Sequence, residues 1–426
     1  MDTAVVPTWR QLKGLVRSTL YANSVYLMAA NVVNAGFGFL FWTAAARLYR
    51  PEDVGLAAGA VSGMSLLVMI SALGLDYAMI RFLPHEADSA GTINTALTIW
   101  VSVALTLSVV FLAGLGVWSP SLQPLRRDAF AAASFIVATM CMAITGLLNA
   151  VFLARMRSGF VLAQSAVFGA VKVVLALLLT AAAAGLTALV GAWAVGTVAS
   201  IAFGLLWFLR RADGPSYRPR PMVRWSAVRR MTRFASANYL SAVLSTAPLS
   251  VMPLVVLNLL GPEANAYFYV AASISSLLAM VPTAVSMTLF AHGSQDNHLT
   301  AAQVRDGIRF SLGLLVPGIA AIFLLGGQVL LLFGRTYAEQ ATPLLWLLSL
   351  ATVPMTLNVS YFSVQRVQRR MADVVLNLGW ILVVTLGLST VLLPRMGLLG
   401  AGAAWLAAQS SVAAMVFLRY ARRWNG

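Results

Sequence analysis

One lysine and a handful of amides are the only groups in this largely apolar sequence placed to do chemistry. Lys172 lies near the middle of the apolar run Phe160 to Ala183, about twelve residues, or about 18 Å, from either end of a helix built on it. That is too deep for its ammonium to reach water by snorkelling. At about 100° per residue, Ser165, Gly169 and Ala176 fall within about 60° of it. The lysine face is therefore small and weakly polar, and is expected to look into a water-filled cavity that takes an anion. Two other readings stay open, an internal pair with Asp76 or a neutral buried lysine.

The first apolar run carries Asn23, Asn31 and Asn34, whose amides donate and accept at once and so suit hydroxyl-rich ligands. They equally suit gluing helices together in a membrane. The seventh run, its counterpart in the second half, holds Asn238, Ser241 and Ser245 followed by Pro248 and Pro253, which are expected to bend or break it and free carbonyls to line a cavity. Lys172, Asn31, Asn34, Arg47, Asn149 and Asn238 make up the candidate substrate-binding set. Glu52 and Asp53 read as interfacial partners of Arg47 and Arg50. There is no Ser, His and Asp set, no HExxH, no Walker loop and no CxxC, and Cys141 is the only cysteine. No catalytic residue, cofactor or metal is expected.

The elements that position these residues are apolar helices. The chain of 426 residues is 60% hydrophobic and only 10% charged, where a soluble domain carries roughly 45–50% and 25%. A spanning helix needs about 20 apolar residues, and twelve runs qualify: Tyr21 to Ala46, Val54 to Asp76, Thr92 to Trp118, Ala129 to Leu153, Phe160 to Ala183, Leu186 to Leu209, Phe234 to Leu259, Ala264 to Phe290, Ser311 to Phe333, Thr342 to Val364, Val374 to Leu393 and Gly397 to Leu418. The fold class is all-α and membrane-embedded, with little chain left for a soluble domain.

Charge sets the orientation. Of the 29 lysines and arginines, 22 fall in the terminal segments and every second loop, and 6 in the alternate loops. The positive-inside rule places the first set, and with it both termini, in the cytoplasm. A formal charge of +16 then reports topology and contact with anionic lipid rather than nucleic acid, for which no basic domain with interleaved aromatics exists. Residues 1–20 read either as an interfacial amphipathic helix, with Trp9, Leu12, Val16 and Leu20 opposite Arg10, Lys13 and Arg17, or as a basic tail. Residues 21–209 and 234–426 read as six-helix lobes, joined by a basic linker over 210–233 held extended by Pro215, Pro219 and Pro221. Leu48, Pro51 and Glu52 recur as Leu259, Pro262 and Glu263 at an offset of 211 residues, so the lobes look like parallel repeats about an axis along the membrane normal.

The run ARLYRPEDVGLAAGAVSGMSLLVMISALGLDYAMIRFLP, Ala46 to Pro84, resembles the N-terminal region of polysaccharide biosynthesis proteins of the flippase type, within the multidrug/oligosaccharidyl-lipid/polysaccharide exporter superfamily. The resemblance implies two six-helix lobes around a central cavity. It also implies export of a polyprenyl-pyrophosphate-linked oligosaccharide across the bacterial plasma membrane by alternating access, with the glycolipid, anionic lipids and other polysaccharide-assembly proteins as partners. The alternatives are a multidrug or metabolite exporter, which generally needs buried acids, and a membrane polymerase or ligase, which needs a long outer loop.

Overall fold

The computed structural model describes residues 19–86, 88–181, 185–208, 220–296 and 299–424. Residues 1–18 of the N-terminal segment expected to lie at the interface, and residues 210–219 of the linker, fall outside them, while residues 19–20 already belong to the first helix. Twelve spans long and apolar enough to cross a membrane are present, and no strand occurs among the described residues. The first lobe comprises α1 (Thr19–Leu48), α2 (Pro51–Ser71), the short α3 (Leu75–Phe82), α4 (Ser89–Ala113), α5 (Ala129–Ala154), α6 (Ser158–Leu178) and α7 (Gly185–Phe203). The second comprises α8 (Trp225–Leu260), α9 (Pro262–Asp296), α10 (Ala301–Leu331), α11 (Arg335–Leu350), α12 (Thr352–Val367), α13 (Met371–Met396) and α14 (Leu398–Trp424). We call the end of the bundle holding the α1–α2 and α8–α9 turns the upper end.

The two lobes repeat one packing plan. The first span lies against the fifth rather than the second, as the seventh lies against the eleventh; the third and fourth pair as do the ninth and tenth; the fifth and sixth pair as do the eleventh and twelfth. The recurring Pro-Glu pair has a local reason. Pro51 and Pro262 each open a helix, where a missing N–H costs nothing, and Glu52 and Glu263 in the first turn meet the positive end of the helix dipole. Gly261, at φ +93°, supplies the left-handed turn before Pro262. Asp128 starts α5 by accepting from the Phe130 and Ala131 amides and takes a 2.5 Å hydrogen bond from Thr187. That hydroxyl, with the amides, holds its carboxyl below the usual range.

At the upper end the lobes share one core. A single cluster joins Phe41, Val61 and Phe135 of the first lobe to Leu257, Val270 and Leu344 of the second. At the lower end there are two clusters, one around Phe152 and Trp100 of the first lobe, against which Tyr239 of the second packs and donates to the Ile70 carbonyl at 2.7 Å, and one around Phe362 and Ile381 of the second. The backbones come closest at the Pro-Glu corners: a Cβ on Gly55 would lie 1.6 Å from the Pro262 carbonyl oxygen and 3.1 Å from the Ala266 nitrogen. Ala266 is the residue that the 211-residue offset pairs with Gly55, so the two repeats meet face to face at equivalent positions. Asn265, fully buried, donates to the Gly55 carbonyl at 2.7 Å.

Several expected boundaries move. The second span ends at Ser71 rather than Asp76, because Leu73 and Gly74 take positive φ and start α3 afresh. The seventh helix begins at Trp225, so the linker is shorter than 210–233. Its residues 220–224 run along α4, where the Arg220, Met222 and Arg224 amides donate to Asn94, Thr98 and Thr95, and Arg224 pairs with Asp88. Pro248 and Pro253 do not break α8, which is continuous as a helix from Trp225 to Leu260.

Candidate functional site

Between the lobes, below their shared core, lies a cavity of about 510 Å³. Its walls come from α1, α2, α5, α6, α7 and α9, with Phe333 from the turn between α10 and α11. Phe39 meets Phe333 edge-on at 5.2 Å, and Trp42 meets Tyr269 at 4.7 Å. All four rings line the cavity and close it from above with one partner from each lobe.

Among the described residues Lys172 is the one charged residue in the wall, and it is only 2% exposed. It forms no ion pair or hydrogen bond with any described residue. Its ammonium instead sits over three rings, Phe168 at 4.4 Å, Trp193 at 4.7 Å and Phe41 at 5.5 Å from the ring centres. Each such contact contributes about 0.5–2 kcal/mol. The cage follows from local sequence: Phe168 and Lys172 are one helical turn apart on α6, and Gly196 lets α7 approach until a Cβ there would lie 3.2 Å from the Lys172 Cβ. Phe168 and Trp193 pack edge-on at 5.3 Å, which fixes both rings. The α6 face is expected to be weakly polar; the observed setting is aromatic, with Phe168 from about 40° round the same α6 face and Phe41 and Trp193 added by α1 and α7, which the α6 sequence does not reveal. The expected alternative pair with Asp76 is not formed. Asp76 lies beyond the second span, on α3.

The amides divide. Asn34 and Asn149 line the cavity. Asn31 is exposed on α1 and is not among the wall residues. Asn23 serves as glue, accepting a 2.7 Å hydrogen bond from the Ser158 amide at the start of α6. Asn238 falls in α8, but its side chain lies outside the described residues, and no α8 residue with a described side chain lines the cavity. The second lobe contributes α9 instead, through Tyr269, Ser273 and Ser276.

Arg47 is not in the cavity and does not pair with Glu52, whose partner is Arg50 at 3.1 Å. It reaches across the upper end and donates to the carbonyls of Leu332 at 2.7 Å and Leu331 at 2.5 Å. A cation at the C-terminal end of α10 also meets the negative end of that helix dipole. The 211-residue offset maps Arg47 onto Asn258, and Leu331 and Leu332 onto Pro120 and Ser121. Asn258 exchanges hydrogen bonds with the Ser119 hydroxyl at 3.0 Å and accepts from the Ser121 amide at 3.3 Å. The upper end is thus held by two latches related by the repeat, one charged and one neutral.

Sequence reasoning missed Gln164. It lines the cavity, is 1% exposed, and neither its amide nitrogen nor its amide oxygen has a hydrogen-bond partner. The signal available was weak, since eight residues before Lys172 a side chain lies about 80° round the helix, outside the face that points at the lysine.

No curated protein matches the sequence. Solved structures that share the fold include the following three. The lipid II flippase MurJ in an inward closed conformation aligns with a TM-score of 0.73 at 11% identity, over 94% of this chain and 87% of that one. A multidrug resistance MATE family transporter of the MOP superfamily, inward-facing, gives 0.69 at 14% identity over 93% and 94%. A MOP superfamily transporter from Pyrococcus furiosus, described by the reverse polarity of its binding pocket, gives 0.66 at 14% identity over 98% of each chain. At such identities the likeness concerns the fold. The sequence itself matches the family model described as Polysaccharide biosynthesis protein over residues 44–342, and this multi-pass membrane protein belongs to that family.

Proposed function

We propose that the protein is a flippase that carries a polyprenyl-pyrophosphate-linked oligosaccharide across the bacterial plasma membrane for surface polysaccharide synthesis, by alternating access between its lobes. The observation that carries this reading is Lys172: a lone cation without an anionic partner in the wall of an interlobe cavity, held by rings alone. A pyrophosphate brings the missing charge, and desolvated charge-assisted hydrogen bonds to it are strong. Ring faces at Trp42, Phe168 and Trp193 and amides at Asn34 and Asn149 suit sugars. The core that the lobes share at the upper end supports reading this as a state closed above. A multidrug exporter of the same fold is the rival. A cavity whose single charged wall residue is a lysine is poorly suited to cations.

Deleting the gene is expected to leave lipid-linked repeat units accumulating on the cytoplasmic leaflet and the surface glycan depleted. Unchanged surface polysaccharide with new drug sensitivity would favour the exporter instead. In this reading the upper end is external and both termini are cytoplasmic, with the basic lower loops against anionic lipid. Reporter fusions after Asp213 and Asp296 should then read cytoplasmic, and fusions after Glu263 and Arg395 external. One clear reversal would refute the orientation without touching the transport reading.

A further inference from the structure

The buried polar atoms of the cavity wall that lack a partner all belong to the first lobe: the Thr145 hydroxyl, the Asn149 amide oxygen, both amide atoms of Gln164 and the Trp193 indole N–H. Their neighbours are satisfied. Ser65 donates to the Val61 carbonyl, Thr197 to Ala194 and Ser200 to Gln164, while Ser273 and Ser276 of the second lobe donate within α9. Leaving such a group unpaired inside a protein costs about 1–3 kcal/mol. Three of these residues sit together in chain terms. Thr145 and Asn149 are one turn apart on the lower part of α5, and Gln164 is near the lower start of the adjoining α6. Along α6, Gln164 lies about 12 Å below Lys172, with Phe168 between them.

We infer that Thr145, Asn149 and Gln164 form a second, neutral subsite that hydrogen-bonds the sugar portion of the ligand, separate from the anion locus at Lys172; this rests on the flippase reading above. The chemistry selects the class. A phosphate asks for donors and positive charge, and a prenyl chain asks for neither donors nor acceptors. A mixed, uncharged set of donors and acceptors matches hydroxyl and acetamido groups, and Phe168 offers a ring on which a sugar face can stack. The two ends of the headgroup are thereby read by different chemistry on the same helix. The lysine recognises what every lipid carrier shares, and the amide cluster recognises what distinguishes one glycan from another.

The test measures binding of two probes to the purified protein in lipid nanodiscs: undecaprenyl diphosphate, and the same lipid bearing one N-acetylglucosamine. Wild type is expected to bind the glycosylated lipid about tenfold more tightly. Gln164→Met and, on the other helix, Asn149→Leu should each remove that preference while binding bare diphosphate as wild type does. Lys172→Ala should lose both lipids. The subsite is overturned if wild type does not discriminate between the probes, or if both amide variants weaken both probes equally or change neither. Failure of wild type to bind either lipid would instead overturn the flippase reading.

Discussion

Lys172→Ala is expected to lower glycan export about 100-fold or more while the folded, inserted protein is recovered in near-normal yield. Two charge-assisted hydrogen bonds to a pyrophosphate contribute about 1.5–3 kcal/mol each, which suffices for that loss. Stability is spared because no carboxylate depends on the lysine. The variant gives up three ring contacts and is relieved of a desolvated charge, two effects of opposite sign. Lys172→Arg should retain part of the activity, since arginine keeps the charge and stacks on rings. Close packing against Gly196 limits how well it fits. Glycan export and detergent-solubilised yield, measured for both variants, separate the roles. Full export by Lys172→Ala ends the anion-site idea, and a parallel fall in yield and export assigns the lysine to structure.

Gly55→Leu should have an effect of similar size by a different route. The obstacle its Cβ meets at 1.6 Å is the backbone carbonyl of Pro262, which cannot rotate aside as a side chain would. The Pro-Glu corners must therefore separate, and the Arg47 and Asn258 latches with them. Overpacking of this kind costs about 1–3 kcal/mol even where neighbours can yield, and 1.4 kcal/mol already shifts a two-state population tenfold. The expected result is a protein held open above and defective in export. With Cys141 replaced by serine, Trp42→Cys should react with a membrane-impermeant maleimide from the upper side about tenfold faster in the Gly55→Leu background. Equal labelling rates with normal export would show that the corner is not a closing contact.

The twelve spans were legible in the sequence because lipid imposes a crude rule, a run of about 20 apolar residues, and the Pro-Glu repeat carried the lobe symmetry. Features that depend on backbone conformation were not legible. The break after Ser71 arises from Leu73 and Gly74, residues as apolar as their neighbours, so hydropathy passes straight through it. The tenth span begins at Arg335 rather than Thr342, and its first turns carry an exposed Arg335–Glu339 pair at 3.0 Å in polar sequence that hydropathy does not count. At the site, Lys172 stood out because a charge at mid-span is rare. Of its cage, Phe168 lies about 40° round the same α6 face and is within reach of helical spacing, whereas Phe41 and Trp193 come from helices whose packing on α6 no single-helix pattern encodes. Arg47 was misassigned for a related reason: its partners are carbonyls nearly 300 residues away, and a backbone acceptor has no sequence signature.

The aromatic cage also bears on how a carrier lets go of its cargo. A cation whose counter-ion departs into water or the opposite leaflet is ordinarily stranded at full desolvation cost, and that cost slows release as surely as it tightens capture. Here the ammonium has somewhere to return to. In the proposed flippase the three polarisable ring faces would take back the ammonium as a diphosphate leaves, so the departing anion would be exchanged for a weaker, always available substitute. The rings thus raise the energy of the loaded state relative to the empty one, trading some affinity for turnover.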